Sequence, residues 1–249
     1  GYKFMLIVLR AIVVIFCCIV ISVVGTLYSL IRFRHPSNVG VVARWFGRLY
    51  PFFGLQVEHR FEPNAYNVGP CIYIGNHQNN YDMVTISYMV MPRTVSVGKK
   101  SLIWIPFFGL VYWITGNILL DRENRSKAHS TMAELARRIQ EDNVSVWMFP
   151  EGTRSRGRGL LPFKTGAFHA AIAAGVPVVP VVCSTTHNQV DLNRWNNGKV
   201  ICELMEPIDS RNYSKENVRE FAEHCHAVMA KRIAELDAEL AKSKENKAS

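Results

Sequence analysis

The chain has 249 residues, of which 49% are hydrophobic and 20% charged, and this is long enough for one sizeable core and typical of a folded domain with a membrane attachment. Lysine and arginine outnumber aspartate and glutamate by 29 to 20, so the formal charge of +9 favours anionic partners: lipid headgroups, phosphorylated substrates, nucleic acid or an acidic carrier protein. The six cysteines form no C-x-x-C pair and have no zinc-site spacing, which excludes a zinc-finger-like module. We expect buried, reduced thiols, which fit a cytoplasmic domain.

The first predicted element is an apolar helix near the start of the chain. Residues 11–31 contain no charged side chain, and a helix of this length would extend about 32 Å, close to the thickness of the hydrocarbon core of a bilayer. The run is longer than the core of a signal peptide, and no A-x-A-like cleavage site follows it. We therefore expect a retained membrane segment.

The basic residues around this segment predict its orientation. Those that follow it are Arg32, Arg34, Arg44 and Arg48, and those that precede it are Lys3 and Arg10. The excess on the carboxyl side places the main domain in the cytoplasm by the positive-inside rule. The next stretch, Val39–Phe53, mixes apolar residues with two arginines four positions apart, which predicts a helix that lies either at the membrane interface or against the soluble domain.

The rest of the chain alternates short apolar runs with helical patterns. The runs are 55–57, 71–74, 94–97, 117–120, 144–148, 178–182 and 200–204, and the helices are 126–140, 163–174 and 214–242. Such alternation predicts an α/β fold with a mostly parallel sheet flanked by helices. We divide the chain into membrane-anchoring helices (1–53) and an α/β domain (54–249), and we expect the tail after Ala241 to be frayed.

A histidine and an aspartate lie five residues apart just after the second predicted strand. In a continuous helix, His77 and Asp82 would be about 140° apart and could not touch. If His77 instead lies in the loop, the carboxylate can accept the Nδ1 proton and leave Nε2 free to act as a base. The alternative is that Asp82 caps the helix and His77 is an ordinary loop histidine. No G-x-S-x-G elbow is present, so direct attack by a substrate hydroxyl is the simpler chemistry.

An arginine-rich loop follows the strand at 144–148. From Gly152 to Gly166 the chain has no acid but carries Lys164 and three arginines, which favours phosphate binding, or else a solvated basic loop on anionic lipid. Walker A and dinucleotide-binding patterns do not fit this loop, and aromatic residues typical of nucleic-acid binding are absent from it. Glu151 either neutralises an arginine or braces the loop.

Two other strand ends deliver cations to the same predicted edge of the sheet. Lys99 and Lys100 end one run, and Arg122 follows another, Gly116–Leu120. Surface charge explains each of them equally well. The remaining histidines, His169, His187, His224 and His226, have no spacing that indicates a metal site.

Taken together, these segments resemble the glycerolipid acyltransferase family, and most closely its bacterial 1-acyl-sn-glycerol-3-phosphate acyltransferases. The matching blocks are 76–82, 116–122, 149–154 and the Val-Pro run 176–180. The resemblance implies that His77 is the catalytic base and that Asp82 polarises it. It also implies an acyl-acceptor site, formed by Lys100 or Lys99 together with Arg122, Glu151, Gly152, Thr153 and Arg154. We expect the Val-Pro run to shape a strand beside the site.

The resemblance further implies the reaction and its setting. The expected enzyme transfers a fatty acyl group from acyl-coenzyme A or an acyl carrier protein to the sn-2 hydroxyl of lysophosphatidic acid, making phosphatidic acid without a metal or cofactor. It would work at the bacterial inner membrane on the cytoplasmic side, and one relative is anchored by two helices that dip into one leaflet. Alternatives are acylation of another lysophospholipid or glycerol-3-phosphate, a non-catalytic binder of anionic lipid, and a membrane-tethered nucleic-acid binder.

Overall fold

A seven-stranded sheet forms the centre of the molecule. The computed structural model describes residues 4–121 and 125–249, and the strand order across the sheet is β1-β7-β6-β2-β5-β3-β4. The strands are β1 (Gln56–Phe61), β2 (Ile72–Gly75), β3 (Thr94–Lys99), β4 (Ile118–Leu120), β5 (Ser145–Met148), β6 (Val178–Cys183) and β7 (Lys199–Leu204). Each of the seven predicted runs is a strand, with ends that differ by one to a few residues.

Five neighbouring strands, from β6 through β2, β5 and β3 to β4, run parallel. Strand β7 is antiparallel to β6, and β1 is parallel to β7. Every residue of β2 and β6 is buried, as expected for parallel strands covered on both faces. The predicted fold class is confirmed, and the carboxyl ends of the five parallel strands lie along one edge of the sheet.

One pair of cysteines departs from the prediction. The antiparallel register of β6 and β7 places Cys183 directly opposite Cys202, and a disulfide joins them. The expectation that all six thiols are reduced is wrong for this pair, because the contact arises from strand register and leaves no sign in sequence spacing. The free thiols are Cys17, Cys18, Cys71 and Cys225, of which the last two are buried.

The helices are α1 (Met5–Ile31), α2 (Asn38–Phe46), α3 (Phe108–Ile114), α4 (Arg125–Glu141), α5 (Gly166–Ala174) and α6 (Val218–Ala248). Helix α2 ends well before the predicted Phe53, and a short 3₁₀-helix, Tyr50–Phe53, follows it. The break falls at Gly47, where a Cβ atom would lie 2.6 Å from the backbone nitrogen of Tyr88. A helix that brings its backbone so close to a neighbour needs glycine at that point.

Helix α6 is longer than predicted. It continues to Ala248, so the expected frayed tail after Ala241 is wrong. Residues 242–248 contain neither glycine nor proline, and the lysines and the glutamate among them are good helix formers. Helix α6 packs against β6 and α5, and its fully buried Phe221 meets Phe168 of α5 edge to face, with ring centroids 5.3 Å apart.

Helix α1 is fastened to the rest of the chain along its length. Near its start, the buried Arg10 donates to the carbonyl oxygens of residues 191, 192, 194 and 195 at 2.6–3.5 Å. In its middle, Gly25 packs so closely on Val42 and Val111 that a Cβ atom would lie 2.9 Å from the latter. Just beyond its end, the guanidinium of Arg34 donates to the carbonyl of Trp113 at 2.6 Å. The opposite side of α1 is apolar and exposed.

Candidate active site

The predicted site segments meet at the carboxyl edge of the sheet. Strands β2, β5, β3 and β4 are successive neighbours, and they lead into 76–82, 149–154, Lys100 and Asp121 respectively. Neighbouring strands lie about 4.8 Å apart, so the end of β3 is roughly 10 Å from that of β2. The predicted residue Arg122 lies outside the described residues.

His77 and Asp82 form the central pair. Asp82 belongs to a 3₁₀-helix, Asn80–Val84, whereas His77 lies in the loop before it, and the His77 Nδ1 atom is 2.7 Å from Asp82 Oδ2. An ionised carboxylate only accepts hydrogen bonds, so Nδ1 carries the proton and Nε2 of the neutral ring is an acceptor. The ring stacks on Phe149, with centroids 4.3 Å apart. The geometry that the sequence analysis proposed for this pair is therefore present.

The same carboxylate also organises the backbone. Asp82 Oδ2 accepts the Gln78 N–H at 2.7 Å and the Asn79 N–H at 3.4 Å. The second contact is the reciprocal half of a capping box, in which a residue of the first turn reaches back to the N-cap backbone. Asp82 therefore caps the 3₁₀-helix and contacts His77 at the same time, and the role of His77 as a base stays a prediction.

Glu151 is buried beside the loop of residues 76–79 that carries His77, which we call the histidine loop. Its Oε1 accepts the His77 N–H at 2.9 Å, and its Oε2 accepts the Leu161 N–H at 3.0 Å. Burial raises the pKa of this carboxyl group, and the two backbone N–H donors oppose that rise. Glu151 is 4% exposed, so its carboxylate holds two chain segments together. Its predicted contact with substrate stays a prediction.

The arginine loop is docked on the histidine loop. The Ser155 N–H donates to the His77 carbonyl at 2.8 Å, and the Arg156 N–H donates to the Gln78 carbonyl at 3.0 Å. The half-buried Arg154 donates to the side-chain oxygen of Asn80. A cation predicted to bind phosphate is therefore held two residues from Asp82.

The remaining predicted residues are more exposed. Gly152 has a left-handed φ of 74°. The end of the Lys164 side chain packs on this glycine, and a Cβ atom at position 152 would be only 2.8 Å from Lys164 Nζ. Thr153 is exposed on the same turn. Lys100 is exposed and lines a cavity of about 290 Å³. The other residues lining this cavity are Ile103, Leu119, Leu120, Asp121, Lys127 and Thr131.

Sequence reasoning missed two amide side chains on either side of His77. Asn76 pairs with the backbone of Cys183, accepting its N–H at 2.8 Å and donating to its carbonyl at 3.0 Å. Gln78 donates to the Ser184 carbonyl and accepts the Thr186 N–H, both at 2.9 Å. These bonds tie the histidine loop to the end of β6. The sequence shows only that two amides flank a histidine, since their partners lie more than 100 residues away.

No cluster of three or more histidine, cysteine, aspartate or glutamate side chains suited to a metal ion occurs within residues 4–121 and 125–249. The chemical groups of the described site are a histidine–carboxylate pair and arginine and lysine cations. This combination can remove a proton from a hydroxyl group and bind an anion beside it.

Comparison with known proteins identifies the family of the chain. The Acyltransferase family model matches residues 56–184, which span the strands from β1 to β6 and the whole histidine and arginine loops. A 1-acyl-sn-glycerol-3-phosphate acyltransferase of Haemophilus influenzae is 73% identical over 96% of this chain and 99% of its own length. The protein of the same name from Escherichia coli K12 is 57% identical over 95% of this chain and 97% of its own.

A solved structure is similar as well. The crystal structure of a 1-acyl-sn-glycerophosphate acyltransferase from Thermotoga maritima aligns with a TM-score of 0.66 and 26% sequence identity, covering 92% of this chain and 98% of that one. Fold, site and near full-length sequence similarity agree. The chain therefore belongs to the acyltransferase family, among the 1-acyl-sn-glycerol-3-phosphate acyltransferases.

Proposed function

We propose that this enzyme transfers a fatty acyl group from an acyl thioester to the sn-2 hydroxyl of 1-acyl-sn-glycerol-3-phosphate, which makes phosphatidic acid. The observation that carries the proposal is the 2.7 Å contact between His77 and Asp82, beside an arginine loop bonded to the same backbone. The names of the relatives support the acceptor. The donor is acyl-coenzyme A or an acyl carrier protein, both of which present the same thioester.

In the proposed reaction, Nε2 of His77 removes the proton from the sn-2 hydroxyl as the oxygen attacks the thioester carbonyl. Asp82 stabilises the imidazolium that forms. The tetrahedral intermediate collapses, the bond from carbonyl carbon to sulfur breaks, and the leaving thiolate takes the proton back from His77. The thioester is already activated, so the proposal assigns the reaction no metal or cofactor.

The acceptor phosphate needs cations close to the base. We assign it to Arg154, which approaches the histidine loop through Asn80, together with Lys100 and Arg122. Guanidinium groups suit a phosphomonoester because they donate pairs of parallel hydrogen bonds. Gly152 and Thr153 form the turn that presents Arg154. We assign Glu151 to holding the backbone of His77, in agreement with its burial.

Residues 1–53 are proposed to attach the α/β domain, 54–249, to the bacterial inner membrane on its cytoplasmic side. Helix α1 is long and apolar enough to cross a bilayer. Its contacts through Arg10 and Arg34 nevertheless tie both ends to the same domain, which favours a helix lying in the interface rather than spanning it. Exposed aromatic residues extend the apolar surface: Phe33 just after α1, and Trp104, Phe107 and Trp113 within or just before α3, which packs against α1.

Radiolabelled acyl transfer in detergent tests the function. Wild type should move label to lysophosphatidic acid and not to lysophosphatidylcholine or glycerol-3-phosphate, with either thioester donor. His77→Ala should lose turnover by at least about 1,000-fold, while His224→Ala, which changes an exposed histidine of α6, should not. Preferred acylation of another acceptor would identify a different substrate. No acylation by folded wild type would leave anionic-lipid binding as the function.

A further inference from the structure

Arg156 is an unusual residue in the arginine loop. Its backbone has a φ of 50°, in the left-handed region, and Gly157 and Gly159 after it have φ values of 84° and 77°. An arginine strains the backbone in this region, whereas glycine or asparagine is accommodated there. The side chain is exposed, and its guanidinium has no hydrogen-bond partner within the described part of the chain. An exposed cation held at a strained position indicates a function for the side chain.

The turn around Arg156 is rigidly attached to the catalytic loop. The Arg156 N–H is bonded to the Gln78 carbonyl, one residue after His77. Arg158 braces the turn, because its guanidinium donates to the carbonyls of Ser155 at 2.8 Å and Arg154 at 3.0 Å. One arginine therefore fixes the loop and leaves the guanidinium of Arg156 available to a ligand.

The turn that carries Arg156 reaches the end of β6, on the opposite side of β2 from the strand that leads to Lys100. Gly157 packs on the ring of His187, where a Cβ atom would be 2.5 Å away, and His187 follows β6. Strand β6 borders β2 on one side, whereas Lys100 follows β3, two strands away on the other side. The loop that carries His77 follows β2, so it lies between the end of β3, which leads to Lys100, and the turn that carries Arg156. In acyl transfer the acceptor hydroxyl must reach both the base and the thioester carbon of the donor, so the two substrates meet at His77.

We propose that Arg156 binds the phosphate of the phosphopantetheine arm of the acyl donor, an inference that rests on the proposed function. The acceptor carries one phosphate, which the acceptor site already takes. The donor carries the second, at the far end of a long arm from its thioester, so its cation must lie outside the reaction centre. Arg156 meets this requirement, because its backbone is bonded to Gln78 rather than to His77 and its side chain faces solvent.

The test compares two synthetic donors that differ only in this phosphate, acyl-phosphopantetheine and acyl-pantetheine, with lysophosphatidic acid as acceptor. Arg156→Asn removes the cation while suiting the left-handed backbone. We expect it to lower kcat/KM about tenfold with acyl-phosphopantetheine and less than twofold with acyl-pantetheine, the size of one charge-assisted contact. Arg156→Lys should recover part of the loss. Arg211→Ala, an exposed arginine near the amino end of β6, should change neither value.

Acyl-coenzyme A and acyl carrier protein, assayed in parallel, show which natural donor uses the contact. A lower kcat/KM of Arg156→Asn with both donors supports a contact with the phosphate that they share. A lower kcat/KM with one donor supports the contact for that donor. Equal losses with acyl-phosphopantetheine and acyl-pantetheine, or a raised KM for lysophosphatidic acid, would overturn the inference and leave the proposed function standing. Failure of wild type to acylate lysophosphatidic acid with any donor would instead overturn the proposed function.

Discussion

Replacing Asp82 with asparagine removes one negative charge and leaves most of the local geometry intact. An asparagine side-chain oxygen in the place of Oδ2 can still accept the N–H groups of Gln78 and Asn79, so the start of the 3₁₀-helix is retained. What disappears is the attraction between the carboxylate and the imidazolium that forms when His77 takes a proton. The variant therefore separates the electrostatic role of Asp82 from its capping role.

The size of the loss follows from the burial of the pair. Two unit charges whose centres are about 4 Å apart attract by about 4 kcal/mol at an effective dielectric of 20. The His77 side chain is 28% exposed and that of Asp82 only 7%, so solvent screens part of this attraction. Taking about 2 to 3 kcal/mol as the retained part, we expect kcat to fall roughly 30- to 150-fold.

The assay measures kcat and KM for lysophosphatidic acid together with the melting temperature. Asp82→Asn should lower kcat while KM and the melting temperature stay close to wild type. Asp82→Ala should lower kcat at least as far and also destabilise the fold by about 1 kcal/mol, because it removes the cap. A kcat for Asp82→Asn within threefold of wild type would refute the general-base pair.

Two further predictions concern buried groups. Glu151→Gln turns an amide NH₂ towards one of the two backbone N–H donors, so one hydrogen bond is lost at a cost of about 1 to 3 kcal/mol. The loss should loosen His77 and lower kcat about tenfold, with KM for lysophosphatidic acid unchanged. A direct contact of Glu151 with the substrate would instead raise KM. Burial raises the pKa of Cys71 to about 11 and that of Cys225 to about 12. Below these values both remain neutral thiols, so iodoacetamide at pH 8 should label them, as followed by mass spectrometry, only after unfolding, and rapid labelling of the native protein would contradict their burial.

Local patterns were sufficient to predict the sheet. Buried parallel strands must be apolar almost throughout, and runs such as 178–182 are too short and too rich in valine for helices. The parallel arrangement then places the ends of β2, β5, β3 and β4 together, so the site could be located without any knowledge of distant contacts.

Apart from the length of α6, which local helix propensity explains, the features that the sequence did not predict depend on contacts between distant segments. The disulfide depends on the register of β6 against β7, and the break at Gly47 depends on where the backbone of Tyr88 lies. The role of Arg10 is the clearest case. As a charge just before the apolar segment it counted towards membrane orientation, yet it is buried against four carbonyl groups of a loop more than 180 residues away.

The five-residue spacing of His77 and Asp82 has a structural reason. A strand ends at Gly75, Asn79 is the N-cap, and the third residue of the following 3₁₀-helix is Asp82. A carboxylate at the third position of a helix turns back towards the N-cap backbone, and therefore towards the loop that precedes it. A histidine two residues before the N-cap lies in that loop, whereas in a continuous helix the same spacing would separate the two side chains. The pair thus depends on the strand-to-helix turn, and changes to that turn should impair turnover even where His77 and Asp82 are intact.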